Sequence, residues 1–193
     1  MSNYLPFSDA QPAPFPLNMR GKLIDLGPLD SNLLPTYQRW INDFETIGNL
    51  DLDLTPTTRE QELEWFNHVS QSEHDVDFTI YEKQTGKPLG NVGLHKIDFR
   101  DRKAEFGIFI GEIDYRGRGY GTEATRLVLS YAFTVLGLHN VMLIVYEFNM
   151  AAHHIYQKVG FCEIGRRRQS RLMKGKLWDT IYMDCLATDF SNS

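Results

Sequence analysis

Three glycines at alternate positions, Gly117, Gly119 and Gly121 in "DYRGRGYGTEAT" (114–125), restrict this chain more than any other stretch. Before them, "KAEFGIFIGE" alternates in the period of a strand. After them, "EATRLVLSYAFTVLGL" puts Ala124, Leu127, Val128, Tyr131, Ala132 and Val135 on one helical face, with Gly137 as the stop. A strand, glycine loop and helix in that order leave the first N–H groups of the helix unbonded at the positive end of its dipole, a place that suits an anion. Two familiar phosphate loops do not match. No G-K-[ST] follows the glycines, and GxGxG is not GxGxxG. What remains is R-x-x-G-x-G on Arg116, Gly119 and Gly121, which a plain glycine turn between strand and helix also satisfies.

The surrounding elements predict a single mixed domain. "KLIDLGPL" (22–29) reads as a strand, and "LLPTYQRWINDF" has the apolar spacing of a helix. "TPTTREQELEWFNHVSQ" reads as a helix capped by Thr57 or Thr58, with Leu63, Phe66 and Val69 on its inner side. "VDFTIYEKQTGKPLGNVGLHKID" predicts two strands turning at Gly86-Lys87, which with the strand before the glycine loop make an antiparallel meander. "NVMLIVYEF" reads as a buried strand and "NMAAHHIYQKVG" as a helix from Asn149 to Gly160. The tail predicts a hairpin turning at Lys174-Gly175-Lys176, with Cys162 at the start of a buried strand.

Composition narrows the function. Two cysteines without CxxC spacing speak against disulfides and a zinc knuckle, so a reducing cytoplasm is the expected location. "MSNYLPFSDAQPAPFPLNMR" carries four prolines and no long apolar run, and reads as a flexible arm over 1–19 rather than a signal peptide or a membrane span. A net charge of −5 gives no general reason to bind nucleic acid or an anionic membrane. The basic run "RRRQSR" (166–171) lacks interleaved aromatics and reads as a solvated strand edge. His153 and His154 are adjacent rather than i, i+4, so no helical metal pair is expected.

About thirty residues after the glycine loop, "NMAAHHIYQKVGF" spells N-x-x-A-x-x-x-Y-x-x-x-G-F on Asn149, Ala152, Tyr156, Gly160 and Phe161. With both motifs in this order, the chain resembles the GNAT superfamily of N-acetyltransferases over residues 20–187, leaving 188–193 as a tail. The style of "AEFGIFI", "GLHNVMLIV" and "KGKLWDTIYMDCL" is similar to the branch containing ribosomal-protein alanine acetyltransferases and spermidine acetyltransferases.

The resemblance implies an α/β (α+β) fold: a mixed, mostly antiparallel twisted sheet of about seven strands with a central splayed parallel pair, flanked by about four helices. It implies acetyl-CoA as cosubstrate, with the pyrophosphate held by Arg116, Gly117, Arg118, Gly119, Tyr120, Gly121 and Thr122. The pantetheine arm is expected beside Phe109 and Ile110 and near Asn149. Tyr156 is implied as proton donor to the leaving thiolate, and Glu105 as a carboxylate relaying the amine proton through water. No metal is expected. The acceptor is a primary amine of a small molecule or a peptide N-terminus, with a homodimer left open. Asp51 and Asp53 in "DLDLTP" are candidates to receive a cationic amine, a solvated loop being the plainer reading. A non-catalytic coenzyme A-binding regulatory domain is the alternative. A nucleotide-binding protein using the loop for ATP lacks the lysine and the magnesium carboxylates that role needs.

Overall fold

The computed structural model describes residues 15–50 and 54–190. One eight-stranded sheet runs in the order β1-β2-β3-β4-β5-β6-β8-β7, with β5 and β6 its parallel pair. The strands are Met19–Arg20 (β1), Ile24–Pro28 (β2), Val76–Glu82 (β3), Pro88–Asp98 (β4), Lys103–Ile110 (β5), Asn140–Tyr146 (β6), Cys162–Met173 (β7) and Lys176–Leu186 (β8). The one strand beyond the seven expected is β1, inside the stretch expected to close the arm. There Phe15 also stacks on Tyr81 at 3.9 Å. Residues 1–14 of that arm, and Asp51 and Asp53, lie outside the described residues.

The five helices divide between the faces because strand side chains alternate. Phe78 of β3 meets Tyr131 of α4 (Tyr120–Thr134), while its neighbour Thr79 meets Tyr37 of α1 (Leu34–Ile41) on the other side. The α4 face, shared with α5 (Met150–Val159), holds the main core of Ile24, Leu26, Ile80, Leu94, Leu129, Val141 and Met183. On the opposite face α1 packs with α2 (Phe44–Ile47) and α3 (Arg59–Gln71).

Local chemistry sets the ends. Thr58 and Gln61 form a reciprocal capping box on α3, and Asn149 caps α5, which Gly160 ends at φ +116°. Lys174 and Gly175, both at positive φ, turn the tail hairpin.

Three expectations need correction. The inner stripe of α3 is Glu62 and Val69 with Trp65 and Phe66 half-buried, while Leu63 is exposed. Val135 is the C-cap of α4 and points to solvent. Cys162 is exposed, because β7 is the outer edge strand and its arginine run the solvated border. No helix among the described residues is long and apolar enough to cross a membrane.

Candidate active site

The parallel pair separates halfway along. β5 and β6 pair at Lys103–Asn140, Ala104–Val141 and Glu105–Met142 and no further, although β5 continues to Ile110 and β6 to Tyr146. Beyond Glu105 the strands form a wedge, and the ladder decides which groups face it. The Gly111 N–H donates to Leu89 O at 2.8 Å, and His139 and Asn140 donate to Arg102 O from the β6 side. By the alternation of an antiparallel ladder, the odd residues of β5 turn their backbone groups to β4 and the even ones to β6. The Phe106 C=O, both backbone groups of Ile108 and the Ile110 N–H therefore face the wedge. Of the two residues expected beside pantetheine, Ile110 faces the wedge, whereas the Phe109 backbone is directed at Asn91 and its ring packs edge-on against Trp40 at 6.1 Å.

The wedge mouth is braced. A β-bulge in which Gly111 and Glu112 N–H groups share Leu89 O bends the end of β5, and Trp40 lies where a Gly111 side chain would begin. Glu112 ties this corner together, accepting from Trp40 Nε1 at 2.8 Å and bonding Arg39 and Lys87. Burial works against its ionised form, but bonds from Arg39, Lys87 and Trp40 outweigh that and hold its carboxyl at about 2.

Past the bulge the chain enters the glycine loop. Gly117 and Gly119 take φ of +74° and +87°, and Gly119 caps α4 without any side-chain bond. Among the described residues no acceptor meets the N–H groups of Gly117 through Thr122, while Glu123 N–H returns to Gly119 O. A side chain at Gly117 would meet nothing within 4 Å, so the backbone is open to an incoming oxygen. These groups fit a pyrophosphate. The run of open N–H groups begins at Gly117, because the Arg116 N–H is bonded to Ile113 O. The Arg116 guanidinium also faces inward, donating to Ile110 O at 2.8 and 3.0 Å and to Thr46 Oγ1 at 2.9 Å, so it clamps the loop to β5 and α2. Arg118 stays outward, over the Tyr115 ring at 4.8 Å, and Tyr120 anchors its hydroxyl on Glu82 at 2.7 Å. Glu123, not singled out from sequence, accepts from the N–H groups of Lys22, Leu23 and Ile24 and fastens β2 to the start of α4.

Tyr156 stands at the root of the wedge on the α5 side. Its ring packs edge-on against Phe106, the first β5 residue past the pairing, at 6.2 Å, and against Phe161 at 5.7 Å. Burial pushes its phenol well above the ordinary value, so the hydroxyl holds its proton at neutral pH. Asn149, at the exit of β6, accepts from Ala152 N–H at 3.2 Å through Oδ1, and its amide NH₂ meets no acceptor among the described residues.

Glu105 is on the other face, and both its oxygens are bonded by Lys96 Nζ at 2.9 and 3.0 Å. Around it lie groups that no sequence motif joins. Gly93 and Gly107 are register partners on β4 and β5, and Asp77 of β3 is next in the same row, so the row has a carboxylate at one end and no side chains along it. His95 lies over Gly107, its Nε2 3.4 Å from where a side chain would start, and its Nδ1 stands 3.6 Å from Asp77 and 3.7 Å from Asp75. The Asp77 side chain is 7% exposed, and burial pushes its carboxyl up to about 6 while His95 opposes that.

Comparison with known proteins agrees with this geometry. The acetyltransferase (GNAT) domain profile matches residues 24–162. Spermidine N(1)-acetyltransferase of Escherichia coli is 39% identical over 98 residues, 51% of this chain and 52% of that one. Putative ribosomal N-acetyltransferase YdaF of Bacillus subtilis is 30% identical over 105 residues, 54% and 57%. The matched stretch thus spans about half the length of these curated relatives. The fold is similar to that of the Vibrio cholerae spermidine N-acetyltransferase solved with CoA and spermine, with TM-score 0.81, 24% identity, and 88% of this chain and 98% of that one covered. With its two motifs, its splayed strands and a profile match over most of its length, the chain belongs to the GNAT acetyltransferase family.

Proposed function

We propose that this protein transfers the acetyl group of acetyl-CoA directly to a primary amine of a small cationic molecule of the polyamine class. The observation that carries the reading is the wedge. Unpaired backbone from the Phe106 C=O through Ile108 to the Ile110 N–H opens next to an uncapped α4 N-terminus, with the Tyr156 phenol at its root. When bound, acetyl-CoA supplies an acyl group activated as a thioester. The N–H groups of Gly117 to Thr122 hold its phosphates. The backbone of Ile108 and the Ile110 N–H bond its pantetheine amides as an added strand would, with Asn149 assisting. Tyr156 holds the proton that the departing thiolate needs. An acyl-enzyme has no support, since burial pushes the Cys185 thiol up to about 12 and Cys162 lies on the outer edge strand.

A cationic acceptor is favoured by the other face, where Asp75, Asp77 and Glu105 gather beside the glycine row. The relatives named for spermidine acetylation support the same class. Release of free thiol from acetyl-CoA, followed with spermidine, spermine, a short peptide and no acceptor, tests the proposal. Thiol release that depends on the polyamine is the expected result. A protein that gains thermal stability from CoA yet releases no amine-dependent thiol is the regulatory binding domain instead.

A further inference from the structure

The wedge opens between two neighbouring residues, Phe106 and Gly107, whose side positions face opposite sides of the sheet. Tyr156 packs on Phe106 from the α4–α5 side, and His95 lies over Gly107 from the α1–α3 side. A donor and an acceptor of protons thus flank the same point of β5. Acetyl transfer to an amine needs both, one for the nitrogen and one for the sulfur.

We propose that His95 is the general base of the reaction and that Asp77 and Asp75 are its positioning residues. This rests on the acetyltransferase reading above. Both carboxylates stand on the Nδ1 side, just beyond hydrogen-bond distance, so they favour the proton there and leave the Nε2 lone pair over Gly107 as the acceptor. The glycines make the arrangement fit. A side chain at Gly93 would start 2.4 Å from Asp77 Oδ1, and one at Gly107 would meet the imidazole at 3.4 Å. Among the described residues Asp77 Oδ2 is buried without a hydrogen bond, 3.6 Å from the ring it would hold. Catalytic bonds of that length in a free enzyme shorten when substrate closes the site. His95 is 36% exposed, so it can pass its proton on to water.

The chemistry balances. The acceptor ammonium gives one proton to Nε2 of His95, and its nitrogen attacks the thioester carbonyl carbon. The C–N bond forms and the C–S bond breaks. The thiolate takes the Tyr156 proton, and the second nitrogen proton returns to solvent or to the tyrosinate. The charged and titratable groups facing His95 are Asp75 from the segment before β3, Asp77 of β3, Lys96 of β4 and Glu105 of β5. His68 of α3 reaches Asp75 at 4.0 Å. Glu105 is the rival base, but Lys96 occupies both its oxygens.

The test combines an imidazole spectrum with rate profiles. In ¹⁵N-histidine-labelled protein, long-range ¹H–¹⁵N correlation of the neutral ring should report His95 as the Nδ1–H tautomer. D77N takes away one of the two carboxylates on the Nδ1 side, so it should shrink the share of that tautomer and lower kcat for spermidine with the KM for acetyl-CoA held. H95Q should lower kcat/KM at least tenfold and erase the acidic limb of its pH profile, again with the KM for acetyl-CoA held. An Nε2–H tautomer, a tautomer share unmoved in D77N, or an acidic limb kept by H95Q and lost by E105Q would each overturn the proposal. Failure of the function itself looks different: the wild-type protein then acetylates no polyamine at any pH.

Discussion

Glu62 lies on the buried stripe of α3, 6% exposed and bonded to no partner among the described residues, and burial pushes its carboxyl from 4.5 up to about 7. Its folded pKa exceeds its unfolded one, so the chain takes up a proton on folding between those values. The contribution is fully present below about 4.5, is lost as pH rises toward 7, and is flat above. At ~1.36 kcal/mol per unit the full shift corresponds to roughly 3 kcal/mol, and partial hydration of the site brings this nearer 2. E62Q keeps the shape and removes the titration. Denaturant unfolding of both proteins from pH 4.5 to 8 should show the variant gaining on the wild type by about 2 kcal/mol across that range, most of it below pH 7. A difference that stays constant with pH would mean that Glu62 is hydrated or paired in solution, and the reasoning from its burial would fail.

Gly119→Val puts a β-branched side chain at φ +87°, in the middle of the N–H cradle. CoA at about a hundred times its Kd should stabilise the wild type by roughly 2.7 kcal/mol, and thermal unfolding should show that gain lost in the variant. Tyr156→Phe keeps the ring against Phe106 and Phe161 but removes the proton. Single-turnover rates should fall at least tenfold with acetyl-CoA affinity nearly unchanged, whereas loss of both together would make Tyr156 a wall of the site only.

The glycine loop and the Asn149–Gly160 helix were legible because their chemistry is local: a backbone angle, a cap, a stop. The tail hairpin read correctly for the same reason, with Lys174 and Gly175 at positive φ. The inner face of α3 did not, because periodicity credits Leu63 and cannot see a glutamate drawn inward by its neighbours Trp65, Phe66 and Val69. The strand that opens the wedge was half legible. Sequence marks β5 but not its parity, and the Gly111 bond to Leu89 O decides that Ile108 and Ile110, not Phe109, face the wedge. His95 and Asp77 were invisible for a related reason. They lie eighteen residues apart in number, with ordinary strand neighbours, and only the pairing of Asp77 with Gly93 and of Gly93 with Gly107 puts them in one corner.

The wedge itself is a feature that a folded sheet would ordinarily avoid, because unpaired strand edges invite misplaced partners. Here each side is controlled separately. β6 is paired along its length to β8, so its backbone is held on one side from Asn140 to Tyr146. β5 is bent away at its end by the bulge at Gly111 and Glu112, held there by Trp40 above Gly111 and by Arg116 on the Ile110 carbonyl. What stays open is a short run of amide groups, too short for another strand of the sheet and matched to a slender ligand with amides of its own. The Arg116 clamp also ties the end of β5 to the glycine loop, adding to the bulge and to Glu112 in fixing the open N–H groups of the loop relative to the wedge. That coupling gives the arginine at the head of the loop a positioning role, its guanidinium directed at Ile110 O and Thr46 Oγ1 rather than at the open N–H groups of the loop.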